Sequence, residues 1–163
     1  MIINAIDVEQ LKNAQERLKA EPSTGNKEPA ILARWMGGGS AEITAGERKM
    51  VIGGEGNLNA MQALLASLAA CDIDVILMHA ALLGLVIEDL RIEIKGKFNT
   101  AGFYGASEES CGYQHIACTA HLKASGATPE QVAYLKERCE RFSPVGNSLS
   151  SAVPLALDIQ LNS

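Results

Sequence analysis

Hydrophobic positions along the chain fall into two alternating periods. Between Asp7 and Ala20, Val8, Leu11 and Leu18 share one stripe at helical spacing, which predicts a short amphipathic helix. Asp7 is its expected cap, with Gln10 at the capping-box position. The polar run Glu21 to Glu28 then reads as a linker, so residues 1–28 are expected to be an accessory helix and linker ahead of a main domain over 29–163. From Ala30 the period drops to two. Ile31, Ala33 and Trp35 alternate with Leu32, Arg34 and Met36, and two further strands are expected over Ala41 to Ala45 and Arg48 to Ile52. Glycine runs at Gly37–Gly39 and Gly53–Gly56 close a small meander.

The longest apolar segment follows, and it predicts a helix from about Asn59 to Leu83 with Gly84 as its stop signal. Leu90, Ile92 and Ile94 then alternate with charged residues, predicting a half-exposed strand, and Phe98 to Ser110 reads as a loop. A second strand carries Ile116, Cys118, Ala120 and Leu122 on one face and Tyr113, His115, Thr119 and His121 on the other. The next helix is marked by Thr128 as cap, Pro129 at the first position and Gln131 completing a capping box. Its stripe is Val132, Leu135, Cys139 and Phe142, and Pro144 ends it in a turn. Val153, Leu155, Leu157, Ile159 and Leu161 alternate at the end of the chain and predict a last strand over Val153 to Leu161.

The long segment carries the chemistry. At 100° per residue, Ser67, Cys71, Asp74 and Met78 share a face, with Asp72 and His79 on a neighbouring one. A helix apolar nearly all round is buried on most sides, and a single small chain cannot enclose so long a helix, so a homodimer with a shared helical core is expected. Asp72 and Asp74 argue against a membrane span, because each central Asp costs roughly 2.5–3.5 kcal/mol on insertion.

With 163 residues, 47% of them hydrophobic and 20% charged, the chain fits one globular domain. Net charge is −5 and no Lys/Arg cluster stands out, which counts against nucleic acid as a partner. The segment MIINAIDVEQ has neither a basic n-region nor an apolar h-region. The four cysteines, Cys71, Cys111, Cys118 and Cys139, show no metal-ligand spacing and read as reduced thiols of a cytoplasmic protein. His115 and His121 lie about 20 Å apart on a strand and cannot share one metal. No metal or cofactor is expected, and the glycine runs lack the Lys-Ser/Thr of a phosphate loop.

LLASLAAC, ending at Cys71, and SPVGNSL, from Ser143 to Leu149, together with the order of elements, resemble the OsmC/Ohr family of osmotically inducible and organic hydroperoxide resistance proteins. The second motif is similar to that family's C-P-x-S-N. The resemblance covers Ala30 to the C-terminus. It implies an α+β fold in which two chains intertwine, two central helices being wrapped by antiparallel sheets. It also implies a peroxidatic Cys, a resolving Cys, and an Arg and a Glu that activate the first thiol. Cys71 matches the peroxidatic position. The resolving position is Ser143, with Pro144 and Asn147 of the motif kept, while the Glu position is Met61 and the Arg position falls near Gly39.

Two functions are consistent with these residues. In one, Cys71 reduces an organic hydroperoxide by a one-Cys route and an external thiol, or Cys139 one helical turn before Ser143, clears the sulfenate. Arg34 is the candidate activating cation. In the other, the dimer holds an apolar small molecule, Cys71 is a packing residue, and Asp72 or Asp74 supplies a polar anchor or pairs with Arg34 or His79 of a second copy. Ser143 and Asn147 are candidate binding residues in either case.

Overall fold

A computed structural model describes residues 1–151 and 153–161. Ala152, Asn162 and Ser163 of the expected 29–163 domain lie outside the described residues. The chain opens with a hairpin the sequence did not suggest, β1 (Ile2–Ile3) against β2 (Ile6–Asp7). Asn4 and Ala5 both take positive φ, 52° and 61°, the pairing that matches the twist of a two-residue hairpin. Asn4 also ties the hairpin down: its Nδ2 donates to the Leu85 carbonyl at 3.0 Å and its Oδ1 accepts from the Ile87 N–H at 2.8 Å. Helix α1 (Val8–Ala20) follows, capped as expected by the Asp7 carboxylate, which accepts from the N–H groups of Glu9 and Gln10. A short 3₁₀ turn, Pro22–Gly25, leads into the linker.

Strands β3 (Leu32–Gly37), β4 (Ser40–Ala45) and β5 (Arg48–Ile52) form the expected antiparallel meander. Gly53 closes it at φ 83°, where a Cβ would collide with the Gly39 carbonyl, so this position requires glycine. The meander packs mainly on itself. Leu32, Trp35, Met36 and Met50 stay exposed, Trp35 at 76%.

Helix α2 (Ala60–Leu82) begins with a reciprocal capping box between Asn59 and Gln62 and stops at Gly84, φ 73°. Leu68, Asp72, Val75, Ile76 and Ala80 are buried at helical spacing, whereas Leu64, Ser67 and Asp74 are exposed. α2 is long and apolar enough to cross a membrane by length and composition. It packs instead as the central helix of the fold, against β6 (Asp89–Lys97), α3 (Pro129–Phe142) and α4 (Pro144–Ser150). β6 pairs antiparallel with β7 (His115–Lys123), setting Leu90 opposite Leu122 and Ile94 opposite Cys118. Their inner face and Leu135 of α3 close the core over Ile76, Ala80 and Leu85. The architecture is therefore α+β with small antiparallel sheets, as expected.

Two expectations are corrected. Pro144 does not end in a turn: it is the first residue of α4, because Ser143 closes α3 through its N–H and caps α4 through its hydroxyl. The last strand, Val153 to Leu161, does not form. Alternating side chains suit a strand, but a strand needs a neighbouring backbone, and this segment finds none among the described residues; Leu155 is 96% exposed.

Candidate functional site

Cys71 lies half-buried in the middle of α2. Seventy-two residues later, Ser143 brings its side chain to the same point, where its Oγ donates to Cys71 Sγ at 3.5 Å. Ser143 is only 3% exposed, and its Oγ also accepts the Gly146 N–H at 3.1 Å. Acting as the cap of α4 fixes the oxygen and leaves its proton to point at sulfur. The residues of the two sequence motifs thus meet in space.

Asp72, the next residue on α2 and about 100° further round it, is 8% exposed. Its backbone carbonyl accepts from Cys139 Sγ at 3.9 Å. Burial, followed by the charge of Asp72, pushes the Cys139 thiol up to about 12. The same two causes, in the same order, raise Cys118 on β7. Cys139 therefore stands close to the site as a protonated thiol at neutral pH.

Asp72 and Ser143 also line a cleft of about 840 Å³ between α2, the β6–β7 sheet and the α3–α4 corner. Leu68, Ile76, Ile92 and Leu135 supply much of its wall, and Cys118 and Cys139 line it as well. The sequence contained the apolar faces but not this cleft, because it arises where three elements fail to close on one another.

The other candidates fall elsewhere. Asp74 is exposed. Asn147 Nδ2 donates to the Arg141 carbonyl at 3.0 Å and so helps finish α3. Arg34 reaches across the β3–β4 ladder to Glu42 at 3.6 Å, and Lys49 meets the same carboxylate. His79 sits between α2 and α3, with Nδ1 3.3 Å from the Tyr134 hydroxyl; burial, then nearby Arg138, lowers its pKa and favours the neutral ring. Met61 offers no carboxylate; its backbone carbonyl accepts from Tyr113 Oη at 2.8 Å. His115 and His121 lie exposed at opposite ends of β7. Among the described residues, no group of three or more His, Cys, Asp or Glu side chains is placed to hold a metal ion.

A long apolar helix laid on an antiparallel sheet, with a mid-helix cysteine facing the residue that caps a later short helix, defines a small thiol-bearing α+β protein. The family model described as OsmC-like protein matches residues 53–158, and the chain belongs to that family. Solved structures agree on the fold. An OsmC-like protein from Mycoplasma pneumoniae is 17% identical with a TM-score of 0.66, the match covering 77% of this chain and 89% of that one. An OsmC-like protein from Vibrio cholerae O1 biovar eltor str. N16961 is 15% identical with a TM-score of 0.64, over 76% and 94% of the two chains. An organic hydroperoxide resistance protein OsmC from Legionella pneumophila is 21% identical with a TM-score of 0.54, over 76% and 91%. No curated protein matches the chain by sequence.

Proposed function

We propose that the protein reduces organic hydroperoxides through Cys71 by a one-Cys route. The observation that carries this reading is the 3.5 Å contact from Ser143 Oγ to Cys71 Sγ, which sets a fixed hydroxyl donor beside the sulfur at the place where the family resemblance implies a resolving thiol. The Cys71 thiolate attacks one peroxide oxygen, the O–O bond breaks, and the alkoxide takes a proton to leave as the alcohol. Cys71 is left as sulfenic acid. Two equivalents of an external thiol then return it to the thiol, releasing one disulfide and one water. Cys139 suits the resolving step less well, because a thiol held up to about 12 supplies little thiolate to attack the sulfenate.

Consumption of cumene hydroperoxide in dithiothreitol tests this reading. Wild type should consume it faster than Cys71→Ser, and equal slow rates from the two would refute it. A second reading is favoured by the apolar cleft and its single buried carboxylate: the family fold serves as a binding module for an apolar small molecule. Native mass spectrometry should then find a retained ligand on protein whose Cys71→Ser variant is as inactive as wild type.

The site is proposed to work in a homodimer. The exposed apolar side of α2, the self-packed β3–β5 meander with Trp35 outward, and the unpaired alternation after Val153 all favour a second copy as their cover. Arg34 on that meander would have to leave Glu42 to reach the partner's site. Solution mass at micromolar concentration should be twice 17.3 kDa, and a monomer mass would remove this proposal. Four free thiols, with Cys111 and Cys118 exposed, suit a reducing compartment such as the cytoplasm.

A further inference from the structure

From the cleft beside Cys71 we infer a ligand class: an amphiphile with a protonated amine head, its head held by Asp72 and its apolar tail lying between the β6–β7 sheet and α3. The inference rests on reading this cleft as the one that takes the substrate or ligand. Its first support is the mismatch between burial and charge. Asp72 is more than nine-tenths buried, in a wall that shares it with Leu68, Ile76, Ile92 and Leu135 and with the neutral side chains of Thr119 and Ser143. Among the described residues no Lys, Arg or His forms an ion pair with it; the polar side chain beside it is the weak thiol donor of Cys139. A carboxylate taken out of water without a cation is costly, and a cationic guest would offset that cost.

The second support is the rest of the charge around the cleft. Lys136 and Glu140 at its rim pair with each other at 3.6 Å and cancel, and His115 stands exposed at one end of β7. Asp72 is left as the dominant charge inside, so an anionic head such as a fatty-acid carboxylate is repelled where an ammonium is attracted. The cleft, about 840 Å³, has room for a chain of roughly ten carbons beside the head, within the usual range of small-molecule sites.

Calorimetric titration of the full chain at pH 7.5 with decylammonium, decanol and decanoate tests the inference. Decylammonium should bind at least about tenfold tighter than decanol, and decanoate most weakly. Asp72→Asn should bring amine and alcohol to within about twofold, while Asp74→Asn, which removes an exposed carboxylate, should leave the preference intact. Equal binding of amine and alcohol by wild type, or a preference that persists in Asp72→Asn, overturns the inference. A site-directed readout stands even where Asp72→Asn does not fold: decylammonium should slow alkylation of Cys118, which lines the cleft, at concentrations where decanol does not, and equal protection by both overturns the inference. Absence of binding by all three also overturns it. Cys71-dependent peroxide consumption by the same preparation would in that case leave the proposed function standing.

Discussion

Ser143→Cys is the substitution that tests the geometry of the site most directly. The native Oγ to Sγ distance is 3.5 Å, and a disulfide needs about 2.05 Å, so roughly 1.5 Å must close where a longer C–S bond and a small rotation can contribute. The bond would span residues 72 apart. Loop-closure entropy for such a span stabilises the oxidised form by about 4 kcal/mol relative to the reduced one. Against this stands the α4 cap, since sulfur accepts the Gly146 N–H poorly, a loss of about 1 kcal/mol. The oxidised variant should therefore exceed wild type by about 3 kcal/mol, a gain of roughly 6–12 °C in melting temperature for a chain of 163 residues. After stoichiometric hydroperoxide, a thiol titration should show two fewer free thiols than the reduced variant. Peptide mapping should join the introduced thiol to Cys71, with melting compared at one protein concentration. A thiol count that does not fall, or a bridge to Cys139 instead, would show that the side chains do not meet as described.

Two further outcomes follow from local interactions. The Cys139 thiol, raised from about 9 to about 12, keeps its proton in the folded state where the unfolded chain has lost it, so its contribution to stability is complete below about pH 9 and is lost as pH rises towards 12. Urea midpoints should fall between pH 8 and pH 10.5, and by less in Cys139→Ala; at pH 8 iodoacetamide should modify exposed Cys111 well before Cys139. Asn59→Ala removes one half of the capping box at the head of α2 and should cost about 1 kcal/mol, seen as a melting temperature lower by roughly 2–4 °C, with no change expected where the cap contributes nothing.

Elements whose signals are local were legible in the sequence. Asp7, Thr128 with Gln131, and Gly84 mark helix ends because a cap is a contact within a few residues. The β3–β5 meander and the β6–β7 pair follow from period-two alternation and glycine turns. α4 was hidden because Pro144 can stop one helix and start the next, and only the Ser143 cap distinguishes the two. The expected strand at Val153 to Leu161 had the correct side-chain pattern but no backbone to pair with.

Sequence by itself determined the long apolar helix, the cysteine in its middle, the family motif around Ser143 and the carboxylates that follow Cys71. Tertiary structure alone decided which of these side chains meet. Ser143 reaches Cys71 because α3 and α4 fold back across α2, and Asp72 enters an apolar cleft while Asp74, two residues on, faces outward. Two residues turn a helix by about 200°, which sends the two carboxylates to opposite sides. Which side becomes core depends on the sheet and helices that pack there, and those contacts come from residues far along the chain.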